Sequence, residues 1–277
     1  MRVAEFLEEL GTLTPSYEQL ALWEERLQRL NGLFSKAVGH DPWGAQRLWA
    51  RRVVMGRSFA LVAPTGSGKT TFGLVAAVYT AMNGRKAYLI FPTKLLVQQA
   101  YSKLEKFLER LGLTDEVKAL AYHADLSRKQ ASEARAEIAG GRYHILLSTS
   151  SFLARRFDLL DGQRFGLVFV DDVDALLKRS KNVDGVLRLL GFPQEIIDDA
   201  LQIVDLRLAR HGREEGVRKA VEEARRRIRE FLQRNSVGIL LVSSTSIKAG
   251  RTKRVGNQKG ALPTTMRSSW GTGLSSC

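Results

Sequence analysis

Ala63-Pro64-Thr65-Gly66-Ser67-Gly68-Lys69-Thr70-Thr71 decides the fold of this chain. The stretch follows a short apolar run, Phe59–Ala63, and precedes an amphipathic one, Lys69–Met82, so it reads as a turn from strand into helix. Its glycines let successive backbone N–H groups converge on one point, which makes an anion-binding nest. The positive end of the following helix is aimed at the same place. At this spacing Lys69 reaches for β- and γ-phosphates and Thr70 offers its hydroxyl to Mg²⁺, while Pro64, Thr65, Gly66, Ser67, Gly68 and Thr71 complete the cradle. The strict phosphate-loop pattern opens on glycine, and here Ala63 stands in that place.

Working outward, short apolar runs recur at Ala87–Phe91, Val117–Tyr122, His144–Leu147, Phe165–Val170 and Val237–Val242. Helical patterns separate the earlier ones, at Lys94–Leu111 and Arg128–Ile138. Alternating β and α segments predict an α/β domain, a mostly parallel sheet with helices on both faces. Continuous apolar runs are what strands buried on both faces look like. One run ends in acids, Phe169-Val170-Asp171-Asp172-Val173-Asp174, which puts carboxylates at the C-terminal edge of the sheet, where open α/β folds bind ligands. Asp171 is the expected Mg²⁺ ligand, and Asp172 is placed to orient or deprotonate an attacking water. Phe91-Pro92-Thr93-Lys94 and Ser243-Ser244-Thr245 also end strands. Their hydroxyls and lysine suit phosphates of nucleotide or nucleic acid, and equally suit a helix N-cap and a turn.

Residues 1–50 read as helical, with Thr14-Pro15 as cap and first-turn proline and Leu20, Leu22, Leu27 and Leu30 as a stripe. Residues 175–235 read as a helical insert between the last two strands. Within it Arg218–Arg234 mixes Arg225, Arg226, Arg227 and Arg229 with Glu222, Glu223 and Glu230, a pattern of i,i+4 pairs on a solvated helix more than of a nucleic-acid contact. The segment 248–277 is basic and free of acids, and from 255 onward it is rich in Gly, Ser and Thr without apolar periodicity, so it is expected to be disordered.

The chain has 277 residues, of which 44% are hydrophobic and 26% charged, the proportions of a globular protein. Its 43 Lys and Arg against 29 Asp and Glu give a net charge of +14, which points to a polyanionic partner. The single cysteine, Cys277, excludes a disulfide framework or a Cys-ligated zinc site within the chain. No apolar run approaches the roughly 18–20 residues that span a bilayer, and acids interrupt the N-terminal apolar stretch. A soluble cytoplasmic protein is the expectation.

These segments, in this order, resemble the first RecA-like domain of superfamily 2 helicases. Ala63–Thr70 looks like motif I, where Ala is common in the first place, and Pro92-Thr93-Lys94 like motif Ia. Ser148-Thr149 stands near the next DNA-contact motif, Asp171–Asp174 matches motif II, and Ser244-Thr245-Ser246 takes the place of the Ser-Ala-Thr motif. Gln46, 17 residues before Ala63, matches the adenine-reading glutamine of the Q motif. The spelling Asp171-Asp172-Val173-Asp174, followed by Ala175–Lys178 and Ser180–Asp184, resembles reverse gyrase more narrowly. So do Pro92–Gln99 and Gln46–Ala50, and the likeness covers roughly residues 30–246. The resemblance implies a RecA-like ATPase domain over 51–247 that binds ATP, Mg²⁺ and DNA, with Pro92, Thr93, Lys94, Ser148, Thr149, Ser244 and Thr245 touching DNA or coupling it to the nucleotide. It also implies a hyperthermophile's ATP-dependent topoisomerase that introduces positive supercoils.

This chain departs from that family's plan. It has no cysteines for the zinc finger, nothing after 246 that resembles the second RecA-like domain with its arginine finger, and no tyrosine in a topoisomerase context. Lys259–Thr265 stands where the family has an apolar helix. With suitable codons, the same bases shifted by one would spell Arg-Val-Leu-Phe-Arg-Gln-Leu, so a frame change shortly before Lys259 is expected and the chain is read as a fragment. Three functions follow: a motor half that binds ATP and DNA but turns over slowly alone, a DNA-binding module with a vestigial nucleotide site, or an inactive product of an interrupted gene.

Overall fold

The structure is a computed structural model that describes residues 15–177, 180–208 and 215–244, together with two short strands at 251–253 and 259–261. Helices α1 (Pro15–Val38) and α2 (Gly44–Val54) precede the sheet. The chain then alternates β1 (Phe59–Val62), α3 (Lys69–Met82), β2 (Ala87–Phe91), α4 (Lys94–Leu111), β3 (Ala119–Tyr122), α5 (Arg128–Ala139), β4 (Ile145–Thr149), α6 (Ser150–Arg155) and β5 (Leu167–Val170). Helices α7 (Val173–Leu177), α8 (Ser180–Leu189), α9 (Gln194–Leu208) and α10 (Glu215–Arg234) lead to β6 (Ile239–Ser244). The order across the sheet is β1-β6-β5-β2-β4-β3, and every pairing is parallel.

The α/β reading therefore holds, with three layers and two cores. Strand side chains alternate between them. Leu89, Phe91, Ile145, Leu147, Leu167, Phe169, Leu61 and Leu241 pack on one face with residues of α1 to α4. Tyr88, Ile90, Leu146, Val168 and Val170 pack on the other with Ile138, Phe152, Leu153, Val186 and Leu189. Helix α3 lies close against β5, because a Cβ on Gly73 would fall 2.6 Å from the Phe169 ring.

Helices α3 and α4 span the expected residues, and so does β2. The other strands differ from expectation by up to two residues at an end. Apolar runs mark burial, whereas a ladder begins only where a neighbour is in reach. Val117 and Phe165 are buried but lie just before their strands. In α1 the expected stripe is corrected: Leu20 and Leu22 are exposed, and the buried face is Leu30, Leu33, Phe34 and Ala37, at true helical spacing. Pro15 opens α1, and the expected cap, Thr14, lies outside the described residues.

The charge-dense helix α10 behaves as a solvated helix. Arg225 pairs with Glu222 at 2.6 Å, and Arg227 makes two hydrogen bonds of 2.6 and 2.8 Å to Asp199 of α9. Of the tail read as disordered, most lies outside the described residues. Six of its positions instead form an antiparallel ribbon, β7 (Arg251–Lys253) with β8 (Lys259–Ala261), Arg251 opposite Ala261. Backbone pairing needs no apolar periodicity, which is why the pattern gave no sign of it. Among the described residues no helix is long and apolar enough to cross a membrane.

Candidate functional site

The loop between β1 and α3 takes its shape from glycine. Gly66 and Gly68 have φ of 80° and 78°, in the left-handed region that glycine enters without strain. Gly68 caps α3 with no side-chain hydrogen bond, so no side chain occupies the amides at that helix end. A Cβ at Gly68 would fall 2.6 Å from Nε2 of Gln46, so glycine is also what lets α2 approach the loop. Gln46 is buried and accepts the Trp43 N–H at 3.2 Å through Oε1. Trp43 donates its indole Nε1–H to the Ser67 carbonyl at 3.3 Å. The Ser67 hydroxyl is buried without a partner. The buried Lys69 donates to the carbonyls of Ala63 at 2.6 Å and Pro64 at 2.8 Å, which holds its ammonium across the loop.

Asp171 ties the loop to the sheet. Parallel register sets Val170 beside Val242, so the next residues, Asp171 and Ser243, meet at the sheet's C-terminal edge. Ser243 Oγ donates to Asp171 Oδ1 at 2.9 Å, and Thr70 Oγ1 donates to Oδ2 at 3.1 Å. The Asp171 N–H donates to Ile90 O at 2.8 Å and fixes the backbone below the carboxylate. One acid thus joins three segments far apart in sequence. Asp172 follows at φ 65°, the sole left-handed non-glycine among the described residues, and is exposed. Asp is one of the few side chains that tolerate this conformation.

The remaining candidates are placed as follows. Pro64, Thr65 and Gly66 are exposed on the loop, and Thr71 accepts a hydrogen bond from Lys103 Nζ of α4 at 2.6 Å. Burial holds the Lys103 ammonium below the ordinary lysine range. Pro92, Thr93 and Lys94 reach the same edge after β2, beyond β6 and β5 from the phosphate loop. Thr93 caps α4 by accepting the Leu96 N–H at 3.3 Å. Lys94 pairs with Asp125 at 2.7 Å, and that bond holds the Asp125 carboxyl below its usual range.

Ser148, expected to touch DNA or couple it to the nucleotide, is fully buried and shares a 2.7 Å hydrogen bond with Tyr88 Oη. Its neighbour Thr149 is half-buried and caps α6 by accepting the Phe152 N–H at 3.3 Å. Ser244 pairs in register with Val62, whereas Thr245 lies outside the described residues. Sequence reasoning missed Ser243 as the partner of Asp171, together with Trp43 and Lys103. Strand alternation held the signal for Ser243, since it shares a face with the buried Leu241.

The DEAD/DEAH box helicase family matches residues 44–200. A reverse gyrase of Pyrobaculum aerophilum is 46% identical over 231 residues, covering 80% of this chain and 19% of that protein. A reverse gyrase of Methanocaldococcus jannaschii is 35% identical over 249 residues, covering 90% of this chain and 15% of that protein. The chain thus spans less than a fifth of the length of these curated relatives. Among solved structures, the yeast DEAD-box splicing factor Prp28 superposes with a TM-score of 0.50 at 18% identity, covering 80% of this chain and 45% of that one. That likeness bears on the fold, and agrees with a RecA-like domain. The resemblance to reverse gyrase drawn from Pro92–Gln99 and Asp171–Asp184 is borne out by the sequence identities.

Proposed function

Since the chain belongs to the DEAD/DEAH box helicase family, we propose that it is the ATP-binding, DNA-contacting motor half of a reverse gyrase. The observation that carries this reading is the Asp171 carboxylate, hydrogen-bonded at once by Thr70 of the phosphate loop and Ser243 of β6. It makes the loop, the acidic strand end and the last strand one site.

The local chemistry fits a nucleotide. The unpartnered Ser67 hydroxyl and the uncapped start of α3 are donors facing the loop. A phosphate there gives Lys69 a charged acceptor in place of two neutral carbonyls, a stronger hydrogen bond. The Gln46 amide, against Gly68, is in position to read the edge of an adenine. Among the described residues no three His, Cys, Asp or Glu converge as a metal cage. Thr70 and Asp171 suit Mg²⁺ nonetheless, which takes one or two protein ligands beside substrate phosphates and water. When bound, Mg²⁺ neutralises charge on the β- and γ-phosphate oxygens. Asp172, exposed and turned out of the strand, is the group to orient or deprotonate the attacking water.

Hydrolysis in related nucleotidases gains about 10³–10⁵-fold from an arginine finger. In this reading that arginine comes from a second RecA-like lobe outside the chain, so the chain alone turns over slowly. In the whole protein the ATP cycle would drive positive supercoiling through a topoisomerase module. Pro92, Thr93, Lys94, Thr149, Ser244 and Thr245 are proposed as the DNA-facing and coupling residues. The test is DNA affinity measured with and without a non-hydrolysable ATP analogue. The motor reading predicts that the analogue changes DNA affinity. Affinity indifferent to nucleotide would favour a plain DNA-binding module.

A further inference from the structure

The opposite end of the sheet carries a site that no motif marks. A cavity of about 260 Å³ opens at the N-terminal edge, beside the turn before β5 and the end of α8. Phe192 and Phe231 form one wall, their centroids 6.0 Å apart. Arg188 lies over the Phe157 ring at 5.0 Å and pairs with Asp161 at 2.6 Å. Arg164 lines the same cavity, is exposed, and forms no hydrogen bond or ion pair among the described residues. Two guanidinium groups, Arg164 and Arg188, therefore line a pocket walled by half-buried phenyl rings, with Asp161 as the acid of the cavity wall.

We propose that this pocket is a second contact for single-stranded nucleic acid, with a base stacking on Phe192 or Phe231 and an adjacent phosphate on Arg164. Guanidinium groups next to aromatic faces are the chemistry that holds unpaired strands without sequence preference. The net charge of +14 favours a polyanion over an acidic peptide of modest charge. Arg164 lies seven residues before Asp171, about 23 Å of extended chain, so a strand that touches both ends runs over the domain surface. One strand can therefore touch both ends of the domain, and the footprint exceeds what the C-terminal edge alone would give. The inference rests on DNA being the partner, as proposed above.

The test uses the full chain, Arg164→Glu, Phe192→Leu and Lys94→Ala, with labelled oligo-dT of about 30 nucleotides and a matching duplex. Arg164→Glu is expected to raise the Kd for the single strand about tenfold. It should also lower the slope of log Kd against log salt by about 0.7 for each lost phosphate contact. Phe192→Leu is expected to weaken single-strand binding about tenfold and to leave the duplex unchanged. ADP affinity should stay at the native value in both, which reports an intact fold. An unchanged Kd and salt slope in Arg164→Glu would overturn the proposal. So would equal losses on single strand and duplex in Phe192→Leu. If Lys94→Ala weakens binding while the pocket variants do not, the pocket fails and the motor reading stands. A native chain that binds no DNA would end both.

Discussion

Gly73→Ala tests whether α3 and β5 are packed as tightly as the structure has them. The new methyl carbon would fall 2.6, 2.7 and 2.9 Å from three atoms of the Phe169 ring. Carbon contacts settle at about 3.5–4.0 Å, so ring or helix must move by about 1 Å. Phe169 is fully buried and faces Phe91 across a 6.4 Å centroid distance, so the ring has little room to turn. Overpacking of this kind costs about 1–3 kcal/mol. Replacing glycine by alanine within a helix returns about 1 kcal/mol of intrinsic propensity. With a shift of that size forced on a fully buried ring the upper part of the range applies, about 2–3 kcal/mol, so the net loss is about 1–2 kcal/mol, or about 2–8 °C in Tm for a domain of this size. Nucleotide affinity should fall with it, since α3 begins at Lys69 and β5 leads into Asp171. Thermal unfolding followed by circular dichroism is the assay. Adding Phe169→Leu should recover part of the loss, measurable as a coupling energy of about 0.5–3 kcal/mol. A Tm for Gly73→Ala equal to or above the native one would refute the packing argument, because propensity alone would then account for the result.

Two further predictions concern single bonds. Ser243→Ala removes the hydrogen bond to Asp171 Oδ1, and a bond to a charged group is worth about 1.5–3 kcal/mol. Mg²⁺-dependent nucleotide affinity, measured by calorimetry, should drop about tenfold or more, and Tm should fall by a few degrees; an unaltered affinity would remove Ser243 from the site. The Arg227 hydrogen bonds hold the Asp199 carboxyl below its ordinary range. Their contribution is complete above the unfolded carboxylate pKa and is lost as pH falls through the lower folded value. The α9–α10 pair should therefore lose stability in acid, below about pH 4, and Asp199→Asn should flatten that part of the pH–Tm curve. A parallel curve for the variant would show that the pair contributes nothing.

Much of the fold was legible because its signals are local. Strand, glycine loop and helix follow one another at Phe59–Met82, and α4 is bounded by a capping Thr93 and by Gly112 at φ 69°. The phosphate loop and Asp171 were legible for the same reason. What was not legible depends on partners distant in sequence. Ser148 carries the residue type of a surface contact, but its strand buries it against Tyr88. The Lys94 ammonium is held by Asp125, 31 residues on, which no strand-end pattern reveals. Ser243 rather than Ser244 meets Asp171 because β6 runs two residues further than its apolar run, and alternation turns the first serine toward the acid. The pocket at the N-terminal edge gathers Arg164, Arg188, Phe192 and Phe231 from segments separated in sequence and has no linear signature.

The central claim is that Lys69 and its loop bind a nucleotide's phosphates. The direct measurement is titration of a fluorescent ADP, with Mg²⁺, into the native chain and into Lys69→Ala. The account predicts saturable binding by the native chain and its abolition in the variant, with the far-ultraviolet circular dichroism of the two superimposable. Equal affinity in the two proteins would contradict it, and the loop would then be a turn with a lysine held by its own carbonyls.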